Sequence, residues 1–176
     1  MATKKTDELE FNVGDMAVYP AHGVGVIERI EQREISGTMM SFYIIKILDN
    51  DMTVMIPTNN LDSVGLRRII QKSKIAKVLE ILKDHDVVID TYTWNRRYRE
   101  YMEKIKTGSV FEIAGEFRDL NVLKKQKTLS FGERRMLDTA RSLLVKELAI
   151  SRGVKDREIE TELDAIFANI TEEASS

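Results

Sequence analysis

The spacing of apolar residues divides the chain into a part with the two-residue period of strands and a part with the period of helices. Up to about residue 69, Val, Ile, Met, Phe and Tyr alternate with polar residues in short runs that end at Gly, Pro or Asp/Asn turns. Strands are predicted at about 16–19, 24–31, 41–48, 52–56 and 66–69. Short strands joined by tight turns predict a small antiparallel barrel of the SH3 or Tudor type.

From Ser73 onward the apolar positions recur every three or four residues, which predicts amphipathic helices. They are expected at about 75–82, 94–106, 110–125, 131–152 and 156–168. Thr93 is the predicted N-cap of the second helix, and Ser-x-x-Glu capping boxes at 109–112 and 130–133 are predicted to begin the third and fourth. The predicted fold class is therefore α+β, with an N-terminal small antiparallel SH3/Tudor-like β-barrel followed by a C-terminal all-helical bundle.

The same pattern sets the expected domain boundaries. Polar, charged ends at 1–10 and 171–176 are predicted to be disordered. The barrel is expected over 11–70 and the helical domain over 71–170.

Composition narrows the class of protein. The chain is 43% hydrophobic and 32% charged, as in a soluble globular protein, and it has no cysteine for disulfides or thiolate sites. No apolar run reaches the ~20 residues of a membrane span, and the first residues lack the apolar core of a signal peptide. A cytoplasmic protein without a membrane partner is expected.

Charge is unevenly distributed along the chain. The formal net charge is -2, but residues 1–65 carry 5 Lys/Arg against 10 Asp/Glu, whereas residues 94–141 carry 12 against 7. The basic section begins at Trp94, the only tryptophan. A local excess of this size is compatible with phosphate contact but would bind DNA weakly alone.

The stretch from Trp94 to Arg99 permits two interpretations. Trp94 could belong to a buried stripe that continues through Tyr98, Tyr101 or Met102, and Ile105. Alternatively, its ring could press against bases while nearby arginines bind phosphates. On a helical wheel the arginines at 96, 97 and 99 project off the Tyr98/Tyr101/Ile105 face, which would leave them free for a polyanion.

Catalytic and metal chemistry find little support in the residues. The two histidines, His22 and His85, lie in different predicted domains, and no P-loop is present. Gly23-Val24-Gly25 lies inside a strand pattern and is interpreted as a bend in the barrel. We expect a non-enzymatic protein with no cofactor, no metal and no small-molecule substrate.

Four segments carry a family resemblance that spans about residues 11–168. FNVGDMAVYPAHGVG at 11–25 resembles the opening of the CarD/CdnL family of bacterial transcription regulators. WNRRYR at 94–99, RDL at 118–120 and LSFGERRML at 129–137 resemble that family's helical domain in matching order. The opening motif alone is also similar to the transcription-repair coupling factor, but the chain has no helicase motifs.

The resemblance implies a function and a set of site residues. The barrel would bind the β subunit of RNA polymerase through an edge strand and side chains that include Arg33, while Met55 takes the place of a second arginine found in some members. The helical domain would lie at the upstream edge of the transcription bubble. There Trp94 would wedge into the minor groove, beside Arg96, Arg97, Arg99 and Arg134. The open promoter complex would be stabilised without sequence-specific reading of bases.

Two other classes of function remain open from the residues. A free-standing nucleic-acid-binding module would bind DNA tightly and with strong salt dependence. A protein–protein adaptor, in which the arginines only solvate a helix face, would show no DNA dependence.

Overall fold

The chain divides into two units, Met1–Arg68 and Ile69–Ser176. The structure, a computed structural model, describes residues 10–89 and 94–168, apart from the side chains of residues 94 and 95. The predicted disordered ends, except Glu10, and the predicted N-cap Thr93 therefore lie outside the described residues.

The first unit is built on one antiparallel sheet with the strand order β4-β3-β2-β1-β5. A short helix, α1, lies between the last two strands. The elements are β1 (Met16–Tyr19), β2 (Gly23–Ile35), β3 (Thr38–Ile47), β4 (Thr53–Pro57), α1 (Leu61–Val64) and β5 (Arg67–Arg68).

The core of this unit is formed by side chains that the two-residue period turns to one face of the sheet. Tyr43 and Phe11 are fully buried at its centre, with their rings edge to face at 5.9 Å between centroids. The Tyr43 hydroxyl also accepts a hydrogen bond of 3.1 Å from the Phe11 backbone N–H. The remaining members of this core cluster are Ala17, Ile27, Ile45, Ile47, Ile56, Leu61 and Leu66.

The hairpin of β2 and β3 is longer than the sequence pattern predicted. Its turn at Ser36 and Gly37 has φ angles of 51° and 79°, and pairing continues out to Ile35 and Thr38. The outer half is a two-stranded ribbon, because β1 pairs only with residues 23–26 of β2 and β4 only with residues 42–46 of β3.

The second unit is helical. After a 3-10 turn at Lys72–Lys74, its helices are α2 (Ile75–Lys83), α3 (Trp94–Thr107), α4 (Val110–Gln126), α5 (Phe131–Arg152) and α6 (Asp156–Ala168). α4 packs against α2, α3 and α5, and α5 packs against α6. An antiparallel sheet followed by helices confirms the predicted α+β class.

The predicted helix caps have mixed outcomes. Ser130 and Glu133 form the reciprocal capping box at the start of α5, and Gly153 ends that helix with a left-handed φ of 70°, as predicted. The capping box predicted at Ser109 is wrong, since the Ser109 side chain makes no cap hydrogen bond. The Glu112 carboxylate instead accepts a hydrogen bond of 2.7 Å from the Thr107 hydroxyl.

The first residues of the helical unit are held by α5. The Ile70 backbone N–H donates to Oε2 of the buried Glu147 at 2.9 Å, and the Ile70 carbonyl accepts from the Ser151 hydroxyl at 2.7 Å. Both backbone groups of a buried residue are thus satisfied by side chains more than seventy positions away.

The part of the chain that the structure describes has neither a membrane-spanning helix nor a cluster of metal-binding side chains. None of the helices in residues 10–89 and 94–168 is both long and apolar enough to span a bilayer. Over the same ranges, no group of three or more His, Asp or Glu side chains is placed to hold a metal ion.

Candidate functional site

The first turns of α3 present two exposed arginines and one that points inward. Arg96 and Arg99 are exposed, and Arg96 lies 3.5 Å from Glu100 one turn along the helix. The Arg97 side chain is only 19% exposed and lies 3.0 Å from the Glu133 carboxylate. Tyr98 is 45% exposed, so the predicted stripe is wrong at this position.

The face of α3 that packs inward is defined by Arg97, Tyr101 and Ile105, which follow one another at intervals of four residues. Tyr101 and Ile105 are buried, and the Tyr101 hydroxyl donates to the Met136 carbonyl of α5 at 2.8 Å. Burial raises the pKa of the Tyr101 hydroxyl, so it stays protonated and able to donate. The arginines at 96 and 99 do project off the packed face, but Arg97 lies on it.

Glu133 brings three segments of the helical unit together. Its side chain is 2% exposed, and its Oε2 lies 3.0 Å from Arg97 of α3. Its Oε1 accepts from Nζ of Lys127, in the α4–α5 loop, at 2.9 Å and from the Ser130 backbone N–H at 3.1 Å. The start of α3, the α4–α5 loop and the start of α5 therefore meet at one buried carboxylate.

The Glu133 carboxylate is charged at every ordinary pH. Burial by itself would raise the pKa of Glu133, but hydrogen bonds from Lys127, Ser130 and Arg97 outweigh it and lower that pKa to about 2. The two cations and the capping N–H thus hold the negative charge in place inside the unit.

A basic cleft lies beside this meeting point. It has a volume of about 570 Å³ and runs between the end of α4, the loop and the second turn of α5. Its cations are Lys124, Lys125, Lys127 and Arg134, and its one carboxylate is Asp138. A concave surface with this excess of positive charge is suited to a phosphate-bearing ligand.

We use the term basic face for five exposed cations on or next to the segments that meet at Glu133. These are Arg96, Arg99, Lys124, Lys125 and Arg134. Three of the residues predicted to bind DNA, Arg96, Arg99 and Arg134, are therefore exposed on these segments, whereas Arg97 is paired inside the unit. The expectation that Trp94 is part buried and part exposed falls on a side chain outside the described residues.

The candidate partner-binding residues of the first unit lie on one face of its sheet. Arg33 of β2 pairs with Met40, and Met55 of β4 pairs with Ile44, four positions further along β3. Because strand side chains alternate, Arg33 and Met55 point to the same side. Both are exposed, Arg33 donates to Glu31 at 2.9 Å, and Met55 stands on an edge strand.

Comparison with known proteins identifies the family. The model of the CarD-like/TRCF RID domain matches residues 11–70, and that of the CarD C-terminal domain matches residues 77–164. YdeB of Bacillus subtilis (strain 168), named as a candidate transcription factor, is 36% identical over 151 residues, which span 86% of this chain and 98% of YdeB. The chain belongs to the CarD/CdnL family.

One solved structure is similar in sequence to part of the chain. CdnLNt from Myxococcus xanthus is 52% identical over 35% of this chain and 87% of its own, with a TM-score of 0.31. CarD/CdnL membership makes the chain a transcription regulator and not a member of an enzyme family. It also implies, in general terms, interaction with RNA polymerase and with DNA.

Several residues of the site were not predicted from the sequence. Glu133 was assigned only a capping role, and Lys124, Lys125 and Lys127 were not singled out. The run of three lysines in four positions before the α5 cap was the available signal. Phe131 is also exposed at this end of α5, with the Arg135 guanidinium 5.9 Å from its ring centroid.

Proposed function

We propose that this CarD/CdnL protein binds the β subunit of RNA polymerase through its barrel and stabilises the open promoter complex through its helical unit. The helical unit contacts DNA at the upstream edge of the transcription bubble, where Trp94 enters the minor groove at the junction of duplex and melted DNA. The observation that carries the proposal is the basic face, whose five exposed cations lie on or next to the segments that meet at Glu133, among them the helix that begins at Trp94.

The kind of residue on the basic face supports binding without sequence-specific reading. Lysine and arginine contacts to phosphates fix a protein on the duplex but carry no information about the bases. An aromatic wedge at an unstacked step likewise has no donor and acceptor code to match. The same surface would therefore serve at many promoters.

Affinity for DNA need not be high in this arrangement. The whole chain has a net charge of -2, so the basic face works against the charge of the rest of the protein. A barrel already bound to polymerase raises the effective concentration of the helical unit at the promoter. The tethered helical unit can then occupy promoter DNA even though the free protein binds DNA weakly.

The polymerase contact is assigned to the sheet face that carries Arg33 and Met55. Among the described residues no strand pairs with the outer side of β4, so this edge can accept an added strand, which is a common mode of recognition. Arg33 is exposed at the outer ribbon, where its charge can reach an acidic partner. Met55 contributes apolar contact where some relatives would place a cation.

Replacing Trp94 with alanine is expected to shorten the lifetime of the open promoter complex by roughly 5- to 100-fold, the equivalent of one stacked base. The lifetime is measured as the decay of polymerase–promoter complexes after a competitor is added. Trp94→Phe keeps a ring that can stack, and should retain most of the effect. An unchanged lifetime with a folded, polymerase-bound Trp94→Ala protein would rule out the wedge.

Replacing Arg33 with glutamate is expected to weaken the complex with the polymerase β subunit by about tenfold, because a charge at the contact is reversed. Binding is measured by titration of the purified proteins. Lys72→Glu is the matched control, since Lys72 is an exposed cation of the helical unit and its replacement makes the same change in net charge. Equal losses for both variants would show a general charge effect and remove Arg33 from the contact.

A further inference from the structure

We infer that Arg97 is a positioning residue that ties the first turn of α3 to the start of α5 through Glu133, and not a group that contacts DNA. The functional side of this inference rests on the proposed function, because the first two turns of α3 carry Trp94, Arg96 and Arg99. The claim that Arg97 links α3 to α5 depends only on the contacts of Glu133 and not on the proposed function.

The environment of Arg97 argues against a direct phosphate contact. Its guanidinium is largely buried, and NH1 lies 3.0 Å from a carboxylate that is 2% exposed. To reach a phosphate, Arg97 would have to leave this buried partner, and separating a buried ion pair leaves an uncompensated charge behind. Arg96 and Arg99, on the same turns, are exposed and need no such rearrangement.

The position of Glu133 makes the tie rigid. Glu133 is the third residue of α5, and its carboxylate and backbone N–H both take part in the capping box with Ser130. Its side chain therefore has little freedom to follow a moving partner. A guanidinium bound to it is held at a fixed point relative to the α5 start.

The tie acts on the first turn of α3 and not on the whole helix. One turn further along, the Tyr101 hydroxyl is bonded to the Met136 carbonyl, and beyond it Ile105 is buried. Near the end of the helix, Lys104 lies 2.5 Å from Glu116 of α4. These contacts hold the later turns without Arg97, so its loss should free the segment that bears Trp94 and leave the rest packed.

Lys127 provides a matched control within the same cluster. It places a positive charge 2.9 Å from Oε1 of Glu133, as Arg97 does at Oε2, but it belongs to the α4–α5 loop. Arg97→Met and Lys127→Met each remove one of the two positive charges that pair with the Glu133 carboxylate. Only Arg97→Met also removes the link between the first turn of α3 and the start of α5.

The first test is amide hydrogen exchange of the full chain, measured by mass spectrometry at a temperature where both variants are folded by circular dichroism. In Arg97→Met, exchange in peptides covering residues 96–101 should rise by about tenfold or more, since local opening of that turn becomes easier. Peptides from α6 should not change. Lys127→Met should leave residues 96–101 at the wild-type rate.

Two outcomes of the exchange test would overturn the inference. Unchanged exchange at residues 96–101 in Arg97→Met would mean that the tie does not hold the turn. An equal rise in Lys127→Met would mean that the charge balance of Glu133, and not the link to α3, controls that turn. Neither result depends on DNA or polymerase, so this arm is independent of the proposed function.

The second test asks how Arg97 affects DNA binding. The affinity for a forked duplex is measured against salt concentration, where each lost phosphate contact reduces the log–log slope by about 0.9. Arg99→Met should reduce the slope by that amount, whereas Arg97→Met should keep the slope and shorten the open-complex lifetime. A slope loss in Arg97→Met equal to that of Arg99→Met would make Arg97 a phosphate contact and refute the inference.

The two ideas fail in different ways. If Trp94→Ala and Arg99→Met both leave promoter complexes unchanged, the proposed function is wrong, while faster exchange in Arg97→Met would still support the structural tie. If those two variants act as expected and Arg97→Met matches the wild type in exchange and in lifetime, the tie is wrong and the proposed function stands.

Discussion

Replacing Glu133 with alanine is expected to lower the free energy of unfolding of the helical unit by about 3–5 kcal/mol, the usual cost of removing one partner from a buried ion pair. Two cations, Arg97 and Lys127, lose their shared partner, and the Ser130 backbone N–H loses its acceptor. The α5 cap is weakened at the same time. Chemical denaturation followed by circular dichroism measures the loss.

The stabilising role of Glu133 also predicts a specific dependence of stability on acid pH. The pKa of Glu133 in the folded protein is about 2, below the ordinary value of 4.5 for a free glutamate. The contribution of Glu133 to the free energy of unfolding is therefore fully present above the pKa that this residue has in the unfolded chain. It is lost as the pH falls from about 4.5 toward 2. Glu133→Gln should lack this part of the acid dependence.

The control for Glu133 is an exposed carboxylate. Glu103 of α3 is exposed, so Glu103→Ala makes the same change in net charge and should alter the unfolding free energy by less than about 0.5 kcal/mol. If Glu133→Ala were as mild as Glu103→Ala, the three segments that meet at Glu133 would have to be held by their apolar contacts alone.

Replacing Gly25 with alanine is expected to destabilise the barrel by about 1–3 kcal/mol, the usual cost of overpacking a core. An added Cβ would lie 2.5 Å from Cγ2 of Ile45 and 3.0 Å from the Lys46 carbonyl oxygen. A β-branched side chain in a full core cannot easily move away, and a carbonyl in the sheet ladder cannot move at all without loss of pairing. Thermal or chemical unfolding of the full chain gives the value.

Gly115 is the matched control for Gly25. It lies inside α4, has an ordinary helical φ, and an added Cβ there would meet nothing within 4 Å. Gly115→Ala should therefore raise stability by about 1 kcal/mol through helix propensity. The same chemical change is expected to have opposite signs at the two sites. A stable Gly25→Ala protein would mean that the sheet has room at this point.

The local patterns in the sequence predicted the positions of strands and helices better than they predicted which side chains are buried. Alternation predicted the strands, and Ser130 with Glu133 predicted a cap that the structure confirms. The outer ribbon was shortened in the prediction because its residues are exposed on both sides and show no hydrophobic period. The Ser109 cap failed because Glu112 has a nearer donor in Thr107, a contact that the Ser-x-x-Glu pattern does not contain.

The face of α3 could not be read from its own sequence. Its aromatic residues suggested a stripe through Tyr98, whereas the packed face begins with the arginine beside it. Arg97 is drawn inward by Glu133, which lies 36 positions away in the chain. Pairing between a cation and a buried carboxylate at that separation leaves no periodic signal. For the same reason, the sequence suggested four DNA-contacting arginines where the structure exposes three.

The way α5 holds Ile70 bears on how the two parts of the chain can change independently over evolution. The hydrogen bonds that join Glu147 and Ser151 to Ile70 are made with its backbone, and every residue except proline has both a backbone N–H and a carbonyl. The barrel-type family match ends at this residue. A barrel of different sequence could be joined before this residue without loss of the contacts to α5, as long as position 70 is not proline and its side chain can be buried.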